Sequence, residues 1–312
     1  MTDFSQIQDL LRTKAEIQAR LNLLPYDGTP EVKANGQNKY LYIRKRVLNK
    51  ITSTYVGVFS DELYNLLLRN AKEAKELKKK IRLIEKQLAA LDYSEKELDK
   101  NVILNLEFAR SNMKTIIYDQ AVLEGVATTF PDTETIIENG KVNNMTSTDV
   151  QKILNLKHAW EFVLDKDVVT ANSDYYLASY IAKIVNEGFY QNGGRIRCVP
   201  VSIGGSEYIP PIPVEFKVKE DIESILSLDA SAIDKAIELC LYVMKTQIYN
   251  DGNKRTAVIF ANHYLIGKGE GLLVIPYDRV TEFKKKLVLY YEDKDTLAVK
   301  IFLKECLLKM KK

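Results

Sequence analysis

The chain has 312 residues, 46% hydrophobic and 28% charged, with 45 Lys+Arg against 42 Asp+Glu and a net charge of +3. That balance excludes a whole-chain demand for a polyanionic partner, and three cysteines with two histidines exclude a disulfide framework or a Cys/His zinc centre. No apolar run reaches the ~18 residues of a membrane-spanning helix. The start, MTDFSQIQDLLRTK, lacks a basic leader followed by an apolar core. The expectation is a cytoplasmic, reduced protein without membrane contact, its thiols packed as small hydrophobes.

The length predicts two domains. A polar stretch, YSEKELDK at 93–100, sets the boundary between a module at 1–95 and a domain at 96–312. Residues 1–100 hold 19 Lys+Arg and 14 Asp+Glu, so the basic excess sits in the N-terminal third. Residues 4–24 read as a helix, with Ile7, Leu10, Ile17, Leu21 and Leu24 on one stripe, ended by Pro25, Asp27 and Gly28. Residues 39–59, KYLYIRKRVLNKITSTYVGVF, read as a hairpin turning at Asn49. Tyr40, Tyr42, Arg44 and Arg46 share one face of its first strand, and Leu41, Ile43, Lys45 and Val47 the other. Ser60 then caps a long helix with Asp61 and Glu62 in its first turn. Its stripe, Leu63, Leu67, Asn70, Ala74, Leu77, Ile81, Ile84, Leu88 and Leu91, alternates spacings of four and three, a coiled-coil pattern with one polar residue to fix register. The partner for that seam is the 4–24 helix folded back, or the same helix in a homodimer.

Beyond 96 the text is mainly α, with helices expected near 97–124, 147–165, 174–189, 217–227, 230–249, 253–267, 278–291 and 294–310. One β-like interruption, RIRCVPVSIGG at 195–205, precedes three prolines at 210, 211 and 213 and predicts an exposed hairpin edge. The string TQIYNDGNKRTAVIFANHYLI at 246–266 joins two apolar helices through a polar turn. Gly252 permits a tight backbone, and the next residues open a helix whose first N–H groups have no internal partner. With Lys254 and Arg255 beside it, such a terminus attracts phosphate, and Asp251 is placed for a divalent cation bridging phosphates. An ordinary helix–helix turn with solvated charges is the other reading of the spacing alone.

The string resembles the HPFxxGNGRxxR motif of the Fic (Fido) family, whose members often carry DGNKR at its centre. Gly252, Asn253 and Arg255 match directly, Tyr249 stands at the Phe position, Asp251 at the acidic position and Lys254 at the second Gly. Upstream, GGRIRCVPVSIGGSEYIPPIP resembles the family's flap hairpin, and QAVLEGV resembles its inhibitory [ST]xxxE[GN] motif, with Glu124 and Gly125 matching. The resemblance spans about 100–310, with an inhibitory-helix-like segment at 115–126, a flap at 193–213 and a motif loop at 247–258. It implies a Fic-type helical core with a β-hairpin flap, preceded by the coiled-coil and β-hairpin module.

It also implies transfer of AMP from ATP, or of a related group from another NTP, to a Ser, Thr or Tyr hydroxyl of a target protein. In that reading Asp251 holds Mg2+, Gly252, Asn253, Lys254 and Arg255 cradle phosphates, and Asn253 and Arg255 count among the catalytic positions. Arg197, Val199 and Val201 form the face of the flap that docks the target by strand addition. Four positions depart from the pattern. Gln247 replaces the catalytic His, and an amide cannot take a proton near neutral pH. Val258 replaces the second Arg, Gln120 replaces the Ser or Thr of the inhibitory motif, and Ile248 replaces Pro. His263 lies about 15 Å along the next helix at 1.5 Å per residue, too far to substitute, and reads as a core or surface residue; His158 lies in another helix. Three outcomes follow: an impaired adenylyltransferase, a pseudoenzyme that binds nucleotide or a partner as a regulator of toxin–antitoxin or prophage type, or transfer of a different phosphate-linked group. The hairpin at 39–59 interleaves Tyr40, Tyr42 and Tyr55 with Arg44, Arg46 and Lys50. It reads either as a nucleic-acid-facing ribbon or as a hairpin packed on the coiled coil.

Overall fold

The computed structural model describes residues 3–309 except 27, 37, 48, 49, 92, 94–96, 139–141, 143 and 144, and only the backbone of 3–5, 46, 47 and 50. The chain divides into two compact units, Met1–Glu95 and Lys96–Lys312.

The first unit runs α1 (Asp3–Leu23), β1 (Thr29–Asn35), β2 (Asn38–Val47), β3 (Lys50–Val58) and α2 (Asp61–Ala90). Ser60 caps α2 as its sequence predicts, its hydroxyl accepting the Leu63 N–H at 3.2 Å. The predicted stripe of α2 is buried from Leu67 to Leu88, and Leu11 of α1 packs on Ile84 and Leu88 while Arg20 pairs with Glu73 at 3.2 Å. That order is antiparallel, so α1 fills the seam within one chain. The predicted hairpin gains a third strand: β1 pairs antiparallel with β2, giving the order β1-β2-β3. Its sequence, TPEVKAN, is too polar to announce a strand, because neither face of it is deeply buried. Leu41 and Ile43 of β2 pack on Leu67 of α2. The turn at Leu48 and Asn49 lies outside the described residues.

Asn70 sits in this seam 7% exposed, with its Nδ2 unbonded. A buried amide without a partner costs about 1–3 kcal/mol. Asn70→Leu is therefore expected to stabilise this unit by about 1 kcal/mol, read as slower hydrogen exchange in α2; faster exchange would contradict it.

The second unit is helical: α3 (Lys100–Ser111), α4 (Met113–Leu123), α5 (Phe130–Ile137), α6 (Ser147–Val163), α7 (Lys166–Val169), α8 (Tyr175–Val185), α9 (Glu215–Ser227), α10 (Ala232–Thr246), α11 (Asn253–Gly267), α12 (Val280–Tyr291) and α13 (Leu297–Glu305). A two-stranded ribbon, β4 (Leu272–Leu273) with β5 (Leu307–Leu308), closes the chain's end. α11 is the axis: 13 of its 15 residues are buried, against α10, α8, α6, α3 and α7. The single helix expected at 97–124 is broken at Asn112, whose Nδ2 donates to Phe108 O at 2.8 Å and competes with the backbone ladder. Among the described residues no helix is long and apolar enough to cross a membrane.

The segment expected to be a hairpin at 195–213 forms no strand pair. One bridge, Ile196 with Tyr249, ties it to the motif loop. Cys240 and Cys306 are buried, their thiols pushed up to about 12 and about 11 by desolvation, as expected of packing cysteines. Cys198, in the flap segment, is exposed instead.

Candidate functional site

The site is built where α10 ends and α11 begins. Gln247 leaves α10 in the left-handed region (φ 48°, ψ 60°), and Gly252 enters α11 at φ 72°. Between them Asn253 acts as a template. Its Oδ1 accepts the Tyr249 N–H at 2.9 Å, while its Nδ2 donates to Tyr249 O at 2.7 Å and to Gln247 Oε1 at 3.2 Å. Tyr249 is wholly buried, its hydroxyl 3.3 Å from Ser179 Oγ. Asn186, which the sequence did not single out, braces the loop from α8. Its Nδ2 donates to Ala182 O, Gly193 O and Asp251 O at 2.9, 3.3 and 3.0 Å. A Cβ at Gly252 would lie 2.9 Å from Asn186 Oδ1, so packing as well as backbone conformation demands glycine there.

The charges converge at the start of α11. Arg255 is 1% exposed; its Nη1 donates to Val185 O at 2.7 Å and its Nη2 to Asp251 Oδ2 at 2.9 Å. On its other side the Glu124 carboxylate lies 3.4 Å from Arg255 Nε and 3.8 Å from Lys254 Nζ. Glu124 closes α4, where Gly125 takes φ 76° and lets the chain turn away. Val258, where the resemblance would have an arginine, is 3% exposed in an apolar wall with Ile116 and Leu123. The carboxylate has therefore found its cations in the loop itself. Gln120 is buried and bonds Arg255 O through Nε2 at 2.9 Å, while its Oε1 accepts the Trp160 indole N–H at 2.9 Å. The amide thus fixes α4 to α11 and α6, which a shorter serine or threonine at that position would not reach.

Among the described residues no imidazole adjoins the loop, and the two carboxylates there, Glu124 and Asp251, are paired with Lys254 and Arg255. The Gln247 amide is spent locally, Nε2 donating to Met244 O at 2.6 Å and Oε1 accepting from Asn253. His263 is 1% exposed between Ser173 Oγ and Val168 O, each at 2.8 Å. Because a carbonyl only accepts, Nε2 carries a proton and donates it to Val168 O, while Nδ1 and Ser173 Oγ share the other bond. It is a satisfied core histidine. His158 is buried in α6, its Nδ1 3.4 Å from Glu187 Oε2. Among the described residues no cluster of three His, Cys, Asp or Glu side chains is grouped for a metal, so a cation here would need phosphate oxygens to complete its shell.

The flap requires a correction. Val199 is 50% exposed and Val201 half-buried, but Arg197, expected on the docking face with them, is 1% exposed. Its guanidinium gathers carbonyls: Gln247 O at 2.6 Å, Val199 O at 2.7 Å, Pro211 O at 2.6 Å, Pro210 O at 3.2 Å and Thr246 O at 3.4 Å. It does the work of a β-ladder that the prolines cannot supply, clasping both arms of the flap to the end of α10. Arg197→Met is expected to free this segment, raising hydrogen exchange over 196–209 more than tenfold while α6 and α8 stay protected. Unchanged exchange would refute the clasp.

Residues 173–265 match the model of the Fic/DOC family, which covers α8, the flap segment, α10 and α11. No curated protein matches the sequence. Solved structures with the same fold include Fic-1 (residues 134–508) from C. elegans, 18% identical, with a TM-score of 0.51 over 78% of this chain and 79% of that one. A Fic domain containing signaling protein from Bacteroides thetaiotaomicron is 14% identical, with a TM-score of 0.53 over 68% of this chain and 88% of that one. A Fic family protein from Desulfovibrio desulfuricans is 15% identical, with a TM-score of 0.51 over 68% and 72%. The resemblance carried by the motif string is borne out over the matched segment, and the fold is that of Fic domain proteins.

Proposed function

We propose, with the Fic fold and the Fic/DOC match of residues 173–265 as premise, that this chain binds a nucleoside triphosphate at Asp251–Arg255. From it the chain transfers AMP to a target protein's hydroxyl slowly, for want of a general base. One observation carries the reading: a carboxylate, Glu124, is drawn to Lys254 and Arg255 beside the free N–H groups that open α11. A cluster that draws one anion out of water suits another, and a phosphate offers more charge and more acceptors.

The residues fit a nucleotide and its cation. Gly252 brings the backbone close, Asn253 fixes the loop, and the half-exposed Asp251 carboxylate would hold Mg2+. That ion, when bound, neutralises charge between phosphates. Glu124 competes for the same cations, so nucleotide must displace it. Gln247 holds the loop's shape without taking a proton, and the hydroxyl nucleophile loses the ~10²–10⁴-fold help a general base gives.

A specific observation favours the regulator reading as runner-up: both ends of the Gln247 amide are held by bonds within the protein, which fix it as part of the loop. Calorimetry with ATP, GTP, UTP and CTP in Mg2+, beside transfer of label from the same nucleotides, decides between them. Binding with slow transfer that Asp251→Ala removes supports the proposal. Binding with no transfer supports the regulator, and absence of binding sinks the proposal and leaves the regulator only its partner-binding form.

A further inference from the structure

The sheet of the first unit has one covered and one bare face. Leu41 and Ile43 pack on α2, while the other side of β2 carries Tyr40, Tyr42 and Arg44. The register sets Tyr42 opposite Tyr55 and Glu31, Tyr40 opposite Lys33, and Arg44 opposite Ser53 and Thr29. The three tyrosines form one cluster: Tyr55 lies 5.5 Å from Tyr42 and 6.2 Å from Tyr40, ring to ring, and Lys33 Nζ stands 4.4 Å from the Tyr42 ring. Tyr55, Ile51 and Val58 are 53%, 68% and 64% exposed on that side. Glu31, the face's carboxylate, lies 3.5 Å from Lys33 Nζ, so its charge is countered locally.

Lys33, Arg44 and, by register, Arg46 belong to this face, and the sheet as a whole is the most basic part of the unit. Residues 29–58 contain six Lys and Arg against one acidic residue, whereas the rest of 1–95 contains eleven of each. The sheet's surplus of five thus equals that of the unit, since α1 is neutral and the surplus of three on α2 is offset by Asp27, Asp92 and Glu95 between the elements.

We propose that this face binds a single-stranded nucleic acid, the cations meeting phosphates and the tyrosine rings meeting bases. Charge complementarity selects a polyanion. The exposed Tyr55 ring, backed by the partly buried Tyr40 and Tyr42, selects unpaired bases, which offer flat faces that a duplex keeps stacked within itself. Anionic lipid or an acidic protein would satisfy the cations and leave the ring cluster without a role.

The test uses the full chain and labelled oligo(U) and oligo(dT) of about 20 nucleotides, enough for one site, with a mixed-sequence duplex of the same length, all followed by anisotropy. Contact with about three phosphates predicts binding about 20-fold weaker at 200 than at 50 mM salt. Tyr55→Ala, at an exposed position, is expected to weaken single-strand binding about tenfold, and Tyr55→Phe to preserve it. Arg44→Gln should flatten the salt slope by about 0.7, and saturating ATP should change nothing, because the loop at Gly252 belongs to the other unit. The proposal is overturned by absence of salt-dependent binding, by a duplex bound as tightly as the single strands, by Tyr55→Ala binding like wild type, or by competition from ATP.

Discussion

Gln247→His is expected to raise the rate of AMP transfer by about 10²–10⁴-fold, the range a positioned general base contributes. The backbone is ready for it. Gln247 stands at φ 48°, ψ 60°, in the left-handed region where His is among the few non-glycine residues enriched. Asn253 Nδ2, which now donates to Gln247 Oε1 at 3.2 Å, also donates to Tyr249 O at 2.7 Å, so the loop keeps its template when the glutamine is lost and the ring's unprotonated nitrogen stays free for the hydroxyl's proton. The measurement is label transfer from α-labelled ATP to protein in a lysate, repeated with Glu124→Ala so that the carboxylate does not mask the gain. No gain in either background, with nucleotide binding intact, would show that something other than the missing base limits transfer.

Arg255→Ala is expected to abolish nucleotide binding and to destabilise the second unit by about 3–5 kcal/mol, the cost of removing one partner from a buried charge cluster. Arg255 answers Glu124, Asp251 and the Val185 carbonyl at once, and is 1% exposed. Its removal leaves Glu124 with Lys254 alone and takes from Asp251 the cation it bonds. Arg255→Lys separates charge from geometry: a single ammonium cannot serve the three partners of a guanidinium fork, so most of both losses should persist. Urea unfolding and calorimetry check the two effects separately, and a stable Arg255→Ala protein that still binds ATP would contradict both.

The stripe of α2, its Ser60 cap and the loop from Asp251 to Arg255 were legible in the sequence because each is encoded within a few residues. The proximity of Glu124 to Arg255 has no local signal in the sequence, since 131 positions separate them. Arg197 was misread for a physical reason. In an alternating run a charged residue reads as solvent-facing, yet its carbonyl partners lie 2, 13, 14, 49 and 50 positions away. Nothing local announces them. The same alternation promised a hairpin that the prolines, lacking N–H groups, could not complete. Asn186 and Trp160 were missed because a buried amide or indole declares its role only through the distant group it bonds.

Glu124 occupies the C-terminal end of α4, where the aligned peptide dipoles leave partial negative charge. A carboxylate there is repelled by its own helix, by about 0.3–1 kcal/mol, and only the two cations across the gap reverse the balance. Once phosphate takes those cations, attraction is lost and the repulsion stands alone. Occupancy of the loop should therefore loosen the last turn of α4, and by linkage whatever frays that turn should tighten nucleotide. The helix end is a small electrostatic spring, wound by the very pairing that holds it shut.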